Sequence, residues 1–559
     1  MNAGAREMNR VNHVTIVGGG TAGWVTAMIL ATKLNAYADV PKVRVTLIES
    51  PNIPTVGVGE ATVPAMPRLL GQLGVDESQF FLRCNASFKT GVRFAHWHED
   101  EAGNPLEFIH PFNPASAIHG ISAGYYFHRF MAPEACHEFV DTLVPNSAVT
   151  RALKGPRPLG EKEYSYTIGY AYHLDAGLFA LFLRDLAISR GVEHVLDDVE
   201  EVQQGENGFI TALRLKERGL MPVQLVVDCS GFRSLIMGKV LNEPFESYSD
   251  HLLCDRALAV QLPHPDPTRL DPCTHSTALG AGWCWRVPLY SRVGTGYVFS
   301  SRFRSDDEAI EEFRAHLGEA GRDAEPRVIR MRIGRVRRTW VKNCVAIGLS
   351  GGFIEPLEST AIHMIECTAR WLVRHFPDRS MSPVLVNNFN KFTQALYEEV
   401  RDFIMMHYYS SNRKEPFWVA ARSEIELSET LRERLELWRY TFPSVIDTSG
   451  DRLFDYWNYL VVLYSKGFFK DVSMPLEGST SKADWDRYLR RIMGMRRNML
   501  ETLPDHYELV TAIREAAEQG AKLQAPPVAA AAAGAFRSTV PVPDWGIEAT
   551  RTEATAGAA

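Results

Sequence analysis

Short apolar runs separated by glycine-marked breaks fill the first two thirds of the chain, and longer helical patterns fill the rest. His13 to Val17 reads as a buried strand, a glycine run follows, and apolar residues at helical spacing extend from Ala22 to about Leu34. Val43 to Glu49 reads as a second strand, so the chain opens with a βαβ unit. From about Val56 to Gly231, short strands and helices alternate between Gly/Pro loops. Within that stretch Leu178 to Ile188 has helical spacing, and Gln224 to Cys229 reads as a buried strand. Trp283 to Pro288 is an aromatic strand, Cys344 to Gly348 another strand, and Thr360 to about Phe376 a helix. Beyond Phe376 the pattern becomes long helices rich in Trp, Tyr and Arg, as far as about Gly520. Ala521 to Ala559, with the run Val528 to Ala533, holds little that could pack. The organisation expected is a flexible N-terminus over 1–10, an α/β module over 11–375, a mainly helical region over 376–520 and a disordered Ala-rich tail over 521–559.

The 559 residues exceed one simple core. A net charge of -7 argues against a general nucleic-acid binder, which carries a basic face. No stretch reaches the roughly 18 apolar residues of a membrane span, and Met1 to Asn12 lacks the apolar core of a secretory signal. The eight cysteines are scattered without a CxxC pair and read as reduced thiols. These features predict a cytoplasmic protein with no nucleic-acid or membrane partner and no metal.

Gly18-Gly19-Gly20-Thr21-Ala22-Gly23 is a GxGxxG turn between strand and helix. Its glycines permit a tight turn and close approach to a pyrophosphate, whose charge the helix amides receive. Glu49 ends the next strand 26 residues after Gly23, where an acid can hold ribose hydroxyls. Gly18, Gly20, Thr21, Ala22, Gly23 and Glu49 are therefore candidate cofactor contacts. Val226-Val227-Asp228-Cys229-Ser230-Gly231 resembles the second flavin-contact motif of FAD monooxygenase-like folds. The strand at Val345 to Gly348 matches their third contact region in position, with Gly348-Leu349 where that family usually has Gly-Asp. No second dinucleotide fingerprint for a nicotinamide is visible, so reduced flavin would come from another protein.

Four further motifs carry a more specific resemblance. Gly18 to Gly23 followed by Trp24 resembles the GxGxxGW opening of flavin-dependent halogenases of the tryptophan-halogenase type. Gly282-Trp283-Cys284-Trp285-Arg286-Val287-Pro288 resembles their WxWxIP signature, with Val for Ile. Ser87-Phe88-Lys89-Thr90-Gly91 resembles the segment of their active-site lysine, and Glu355-Pro356-Leu357-Glu358-Ser359-Thr360 their glutamate and halide-binding turn. The resemblance runs from about residue 13 to about 500. It implies an α/β fold, with an FAD-binding Rossmann-like (FAD monooxygenase-like) module and a mainly helical C-terminal substrate region.

The resemblance also implies chemistry. In such enzymes FADH2 and O2 form a flavin hydroperoxide that oxidises chloride or bromide to hypohalous acid, which then halogenates an aromatic ring. Val56, Gly57, Glu60, Ala61 and Leu349 complete the implied flavin contacts. Lys89, if buried, would lose solvation and basicity, and could hydrogen-bond hypohalous acid or form a haloamine. Glu358 could take the proton from the cationic ring intermediate. The amides of Thr360 and Ala361 would form the halide site at a helix start. Ala361 stands where the family commonly has Gly, so a positive φ there would strain it. Trp283 and Trp285 alternate on a strand, so both rings face one side with Val287, and Pro288 closes the signature. Bulky rings between flavin and substrate would block direct oxygen transfer.

His110-Pro111-Phe112 resembles the HxF stretch that sandwiches an indole, with Trp457 as the candidate opposite wall. The residues that would grip the charged groups of free tryptophan are not evident; Arg439, Tyr440 and Asp447 match that role poorly. The expected substrate is an indole-type aromatic: tryptophan, indole, or a peptide-bound or derivatised tryptophan. The expected protein partner is a separate flavin reductase, and a homodimer is among the expected assemblies. The alternatives are an FAD-dependent aromatic monooxygenase and a flavin-binding protein without catalysis.

Overall fold

A computed structural model describes residues 9–37, 42–53, 59–448 and 453–520. The expectations for Val56 and Gly57, for residues 1–8 and for the Ala-rich tail fall outside these residues.

The βαβ opening forms as the apolar pattern requires. His13–Val17 is buried throughout, and the Thr21–Leu34 helix packs behind it. The His13–Val17 strand pairs in parallel with Arg44–Glu49 on one side and with Leu225–Asp228 on the other. The complete six-stranded sheet runs Trp340–Val341, Cys344–Ala346, Leu225–Asp228, His13–Val17, Arg44–Glu49, Glu193–Leu196. Its parallel core is a doubly wound arrangement, in which ligands sit beyond the C-terminal strand ends.

A second, seven-stranded sheet is mostly antiparallel. Its order is Arg327–Arg330, Arg256–Leu262, Val293–Phe299, Gly282–Pro288, Cys273–Leu279, Gly91–Glu99, Pro105–Pro111. This sheet carries both the Trp283/Trp285 strand and the strand that holds His110 near its end. A small sheet of Gly59–Ala61, Ala171–Asp175 and Ser87–Lys89 lies beside the Gly282–Pro288 strand of the seven-stranded sheet.

From residue 383 onward the named helices are Pro383–Tyr409, Pro416–Ser423, Glu429–Leu437, Tyr456–Ser465, Lys482–Thr502 and His506–Glu518. They are built into the first region rather than set apart from it. His506 Nε2 accepts the amide of Phe88 at 3.1 Å, so the last helix ties down the strand of Lys89. No described helix is long and apolar enough to cross a membrane.

Candidate active site

At the nucleotide end, Gly18 has φ 122° and a Cβ there would lie 2.2 Å from the carbonyl oxygen of Cys229. Only glycine lets the two parallel strands end this close together. A Cβ on Gly20 would meet nothing within 4 Å, and the Thr21–Leu34 helix starts there without a side-chain cap. Free amides facing open space form an anion cradle. Glu49 lies against Gly19 and accepts from His194 Nε2 at 2.8 Å, which fixes its carboxylate beside the turn. Gly348 touches Ala22 from the far side, so a Cβ there would lie 2.7 Å from that methyl, while Leu349 stands 39% exposed. Burial pushes the Glu60 carboxyl up to about 7. These residues fit a dinucleotide.

Lys89 ends the Ser87–Lys89 strand and is fully buried. Its strand is locked by pairing with Ala171–Asp175, and Ser87 Oγ donates to the carbonyl of Pro288 at 2.5 Å. Lys89 Nζ donates to Thr62 O at 2.9 Å and to Ser359 Oγ at 3.0 Å, with the Phe112 ring centre 5.5 Å away. Loss of solvation lowers its pKa to about 8, although the charge of Glu358 works the other way.

Glu358 and Ser359 form the turn before the Ala361–Arg374 helix. Glu358 Oε1 accepts from His110 Nδ1 at 3.0 Å and from His407 Nε2 at 2.9 Å. Burial alone would raise this carboxyl, but the two histidines outweigh it and hold it well below the usual range. His110 Nε2 in turn meets the Asn458 amide nitrogen at 2.9 Å. An Nδ1–H tautomer satisfies both contacts and pins the ring, whose centre lies 6.3 Å from that of Phe403. The left-handed residue of the turn is Ser359, φ 60°; Ala361 has no positive φ and begins the helix. The strain anticipated at Ala361 therefore does not arise. The helix has no side-chain cap at Thr360, so the amides of Thr360 and Ala361 lie at an uncapped helix start.

Trp283 and Trp285 lie on one side of their strand with ring centres 6.3 Å apart. Trp283 Nε1 donates to Glu355 Oε1 at 3.0 Å, and Tyr408 OH donates to the same oxygen at 2.5 Å. The Trp285 ring lies across Gly296 of the neighbouring strand, where a Cβ would be 2.1 Å from the ring. The signature thus fixes the chain three residues before Glu358.

Tryptophan halogenases match this chain over residues 13–482. The chain belongs to the tryptophan halogenase family. The tryptophan 7-halogenase RebH of Lentzea aerocolonigenes is 37% identical over 531 residues, covering 90% of this chain and 98% of RebH. The crystal structure of the tryptophan 6-halogenase SttH from Streptomyces toxytricini superposes with a TM-score of 0.83 at 35% identity, over 90% of this chain and 100% of that one. BrvH, a flavin-dependent halogenase from Brevundimonas sp. BAL3, gives 0.79 at 35% identity, over 90% and 99%. The enzyme is a flavin-dependent halogenase with a Rossmann-like FAD-binding fold, rather than a monooxygenase.

In this halogenase the sequence-predicted residues Lys89, Glu358 and His110 meet in one buried cluster. Trp457 is buried with its ring 5.9 Å from Phe139, and its neighbour Asn458 makes the contact to His110. Asp447 is taken up by Ser444 and Trp438, Arg439 lies over Phe468, and Tyr440 is 70% exposed. His407, Tyr408 and Asn458 were not legible as site residues, and Ser359 was legible only as a member of the Glu355–Thr360 turn, with no role of its own. His407 and Tyr408 lie near the end of the 27-residue Pro383–Tyr409 helix, with no motif to mark them.

Proposed function

We propose that the enzyme halogenates an uncharged or derivatised indole ring, with Lys89 delivering the electrophile and Glu358 removing the ring proton. The observation that carries this reading is the buried sequence Lys89, Ser359, Glu358, in which the amine is tied to the residue next to the carboxylate. Gly18, Gly20, Thr21, Ala22, Gly23 and Glu49 would hold FAD, with Glu60, Ala61 and Leu349 along the same cleft. Bound reduced flavin supplies, with O2, the oxidation of chloride or bromide to hypohalous acid.

Lys89 spends two donors on Thr62 and Ser359, which leaves its third N–H for the oxygen of hypohalous acid. The balanced step is ArH + HOX → ArX + H2O. Lys89 gives its proton to the departing hydroxyl oxygen as the ring carbon bonds to the halogen. Glu358 then takes the proton from the same ring carbon, and the pair is reset by return of that proton to the amine. A carboxylate of low basicity suffices, because a protonated or halogenated arenium ion is a far stronger acid. The two histidines keep Glu358 ionised and aimed. His110 and Phe112 offer ring faces to the indole, and Thr360 and Ala361 offer amides to the halide. Trp283, Trp285 and Pro288 would form a wall between substrate and bound flavin.

The test uses the full chain with an unrelated flavin reductase, NADH, FAD, bromide and an indole panel, read by product mass. A single mono-brominated product from wild type and none from Glu358→Gln is expected. Without the reductase, NADH should not be oxidised, since reduced flavin is proposed to come from a separate cytoplasmic protein. A hydroxylated product, or full turnover by Glu358→Gln, would overturn the assignment.

A further inference from the structure

Lys466 directly follows the Tyr456–Ser465 helix and is 2% exposed. Its Nζ donates to the carbonyl oxygen of His407 at 2.6 Å and lies 4.9 Å from the centre of the Trp97 ring. Among the described residues, no carboxylate lies within ion-pair distance of it; burial pushes its pKa well below the usual lysine range, and the charge of Glu358 opposes this only in part. A buried ammonium with one hydrogen bond and a ring face is poorly compensated for lost water. A methionine would fill a similar volume without that cost. A costly group in a buried site next to the chemistry is a candidate for function.

Its position suggests which function. His407 bridges the two charges: its side chain reaches Glu358 Oε1 at 2.9 Å, and its backbone oxygen receives Lys466. We propose that Lys466 is a positioning residue for halogenation, anchoring the backbone of His407 and so holding its imidazole as a donor to Glu358. This inference rests on the reading of Glu358 as the ring base.

The surroundings support it. His407 faces Glu358, His110 and Lys466, with Phe94 stacked on its ring at 4.7 Å. Lys466 faces Glu358, His407, Trp97 and His98. Burial first, then the charge of Lys466, lowers the pKa of His407 to about 4. An imidazolium in its place would share a proton with Glu358 before the ring does, and so weaken the base. Removing the lysine charge lets His407 protonate at higher pH.

The experiment compares wild type with Lys466→Met and Lys466→Gln, with Glu358→Gln as reference. It uses the full chain, an unrelated flavin reductase, FAD, NADH, bromide and indole. Lys466→Met should raise Tm by about 2 °C or more. It should lower kcat about tenfold or more with little change in KM, as expected for loss of an interaction used in the transition state. The acid limb of its pH profile should move to higher pH, and Lys466→Gln should share that shift, since it keeps a donor but not the charge. The Tm gain should be larger near about pH 6 than near about pH 10, because the cost of a buried ammonium fades as the native lysine loses its proton. Tm and kcat falling together, an insoluble Lys466→Met, or unchanged kcat would each overturn the inference. If Glu358→Gln is inactive while Lys466→Met turns over normally, this inference alone fails. If Glu358→Gln is active, the reading of the base fails with it.

Discussion

Lys89 donates to Ser359 at 3.0 Å, and Ser359 is the left-handed residue between Glu358 and the helix start at Ala361. The proposed electrophile carrier is therefore bonded to the turn that presents the proposed base. Neither residue can shift without disturbing the other.

Lys89→Met should fold, since it replaces a buried ammonium by an apolar chain of similar size. Halogenation should fall roughly 10²–10⁴-fold, the range for a positioned proton donor. Product mass and retained FAD in the purified variant are the readouts. Wild-type activity should decline as pH rises through about 8, where the ammonium is lost. The stability effect has its own sign. Between about 8 and 10.5 the unfolded chain keeps a proton that the fold gives up, so this residue's contribution makes stability rise with pH there. Lys89→Met should remove that slope in Tm, and an unchanged slope would place the titration elsewhere.

Glu355 holds two donors on one oxygen, and burial raises its pKa from 4.5 to about 7. The fold thus keeps a proton that the unfolded chain releases, so stability is lost as pH rises across that window. Glu355→Gln should flatten this part of a Tm-versus-pH curve. Trp283→Phe removes one of the two donors and should cost about 1–3 kcal/mol, more above pH 7 than below it. Denaturant unfolding at two pH values measures both; equal losses at the two would contradict the arrangement.

Ser359→Gly and Ser359→Ala separate strain from bonding. Glycine accepts the positive φ and alanine does not, so the glycine variant should be more stable by about 0.5–1 kcal/mol. Both variants take a partner from Lys89 and both should halogenate more slowly. An alanine variant as stable and as active as wild type would show that neither feature matters.

Indole and N-acetyl tryptophan amide should be halogenated at least as well as free tryptophan. Asp447 is consumed by local bonds, and Val445 and Ile446, 69% and 89% exposed, offer no partners to a zwitterion. Burying an ammonium and a carboxylate without partners would cost several kcal/mol. Ring stacking adds only about 0.5–1.5 kcal/mol beyond area burial, so KM for small indoles should be high. Comparing kcat/KM across the three substrates decides the point, and a strong preference for tryptophan would refute it.

Local pattern alone determined the βαβ opening, the strand of Trp283 and Trp285 and the helix after Glu358, because each is specified by a few residues of local periodicity and, in the opening unit, by a glycine turn. The elements lie within a residue or two of their expected ends: Thr21–Leu34, Gly282–Pro288, Ala361–Arg374. Lys89 and Glu358 were legible because they sit in short motifs. What surrounds them was not. The contacts of Glu358 with His110 and His407 span 248 and 49 residues, and that of Lys466 with His407 spans 59. No periodicity encodes such pairs, since they exist only when a strand end, a turn and two helices meet. The positive φ fell on Ser359 rather than Ala361 for the same reason: the sequence names the residues of a turn, but the direction in which the turn must deliver its helix decides which of them is left-handed. Burial completes the division. A sequence shows a lysine or a glutamate, while the tertiary structure decides how much water each keeps, and that sets the basicity of Lys89, Glu355, His407 and Lys466.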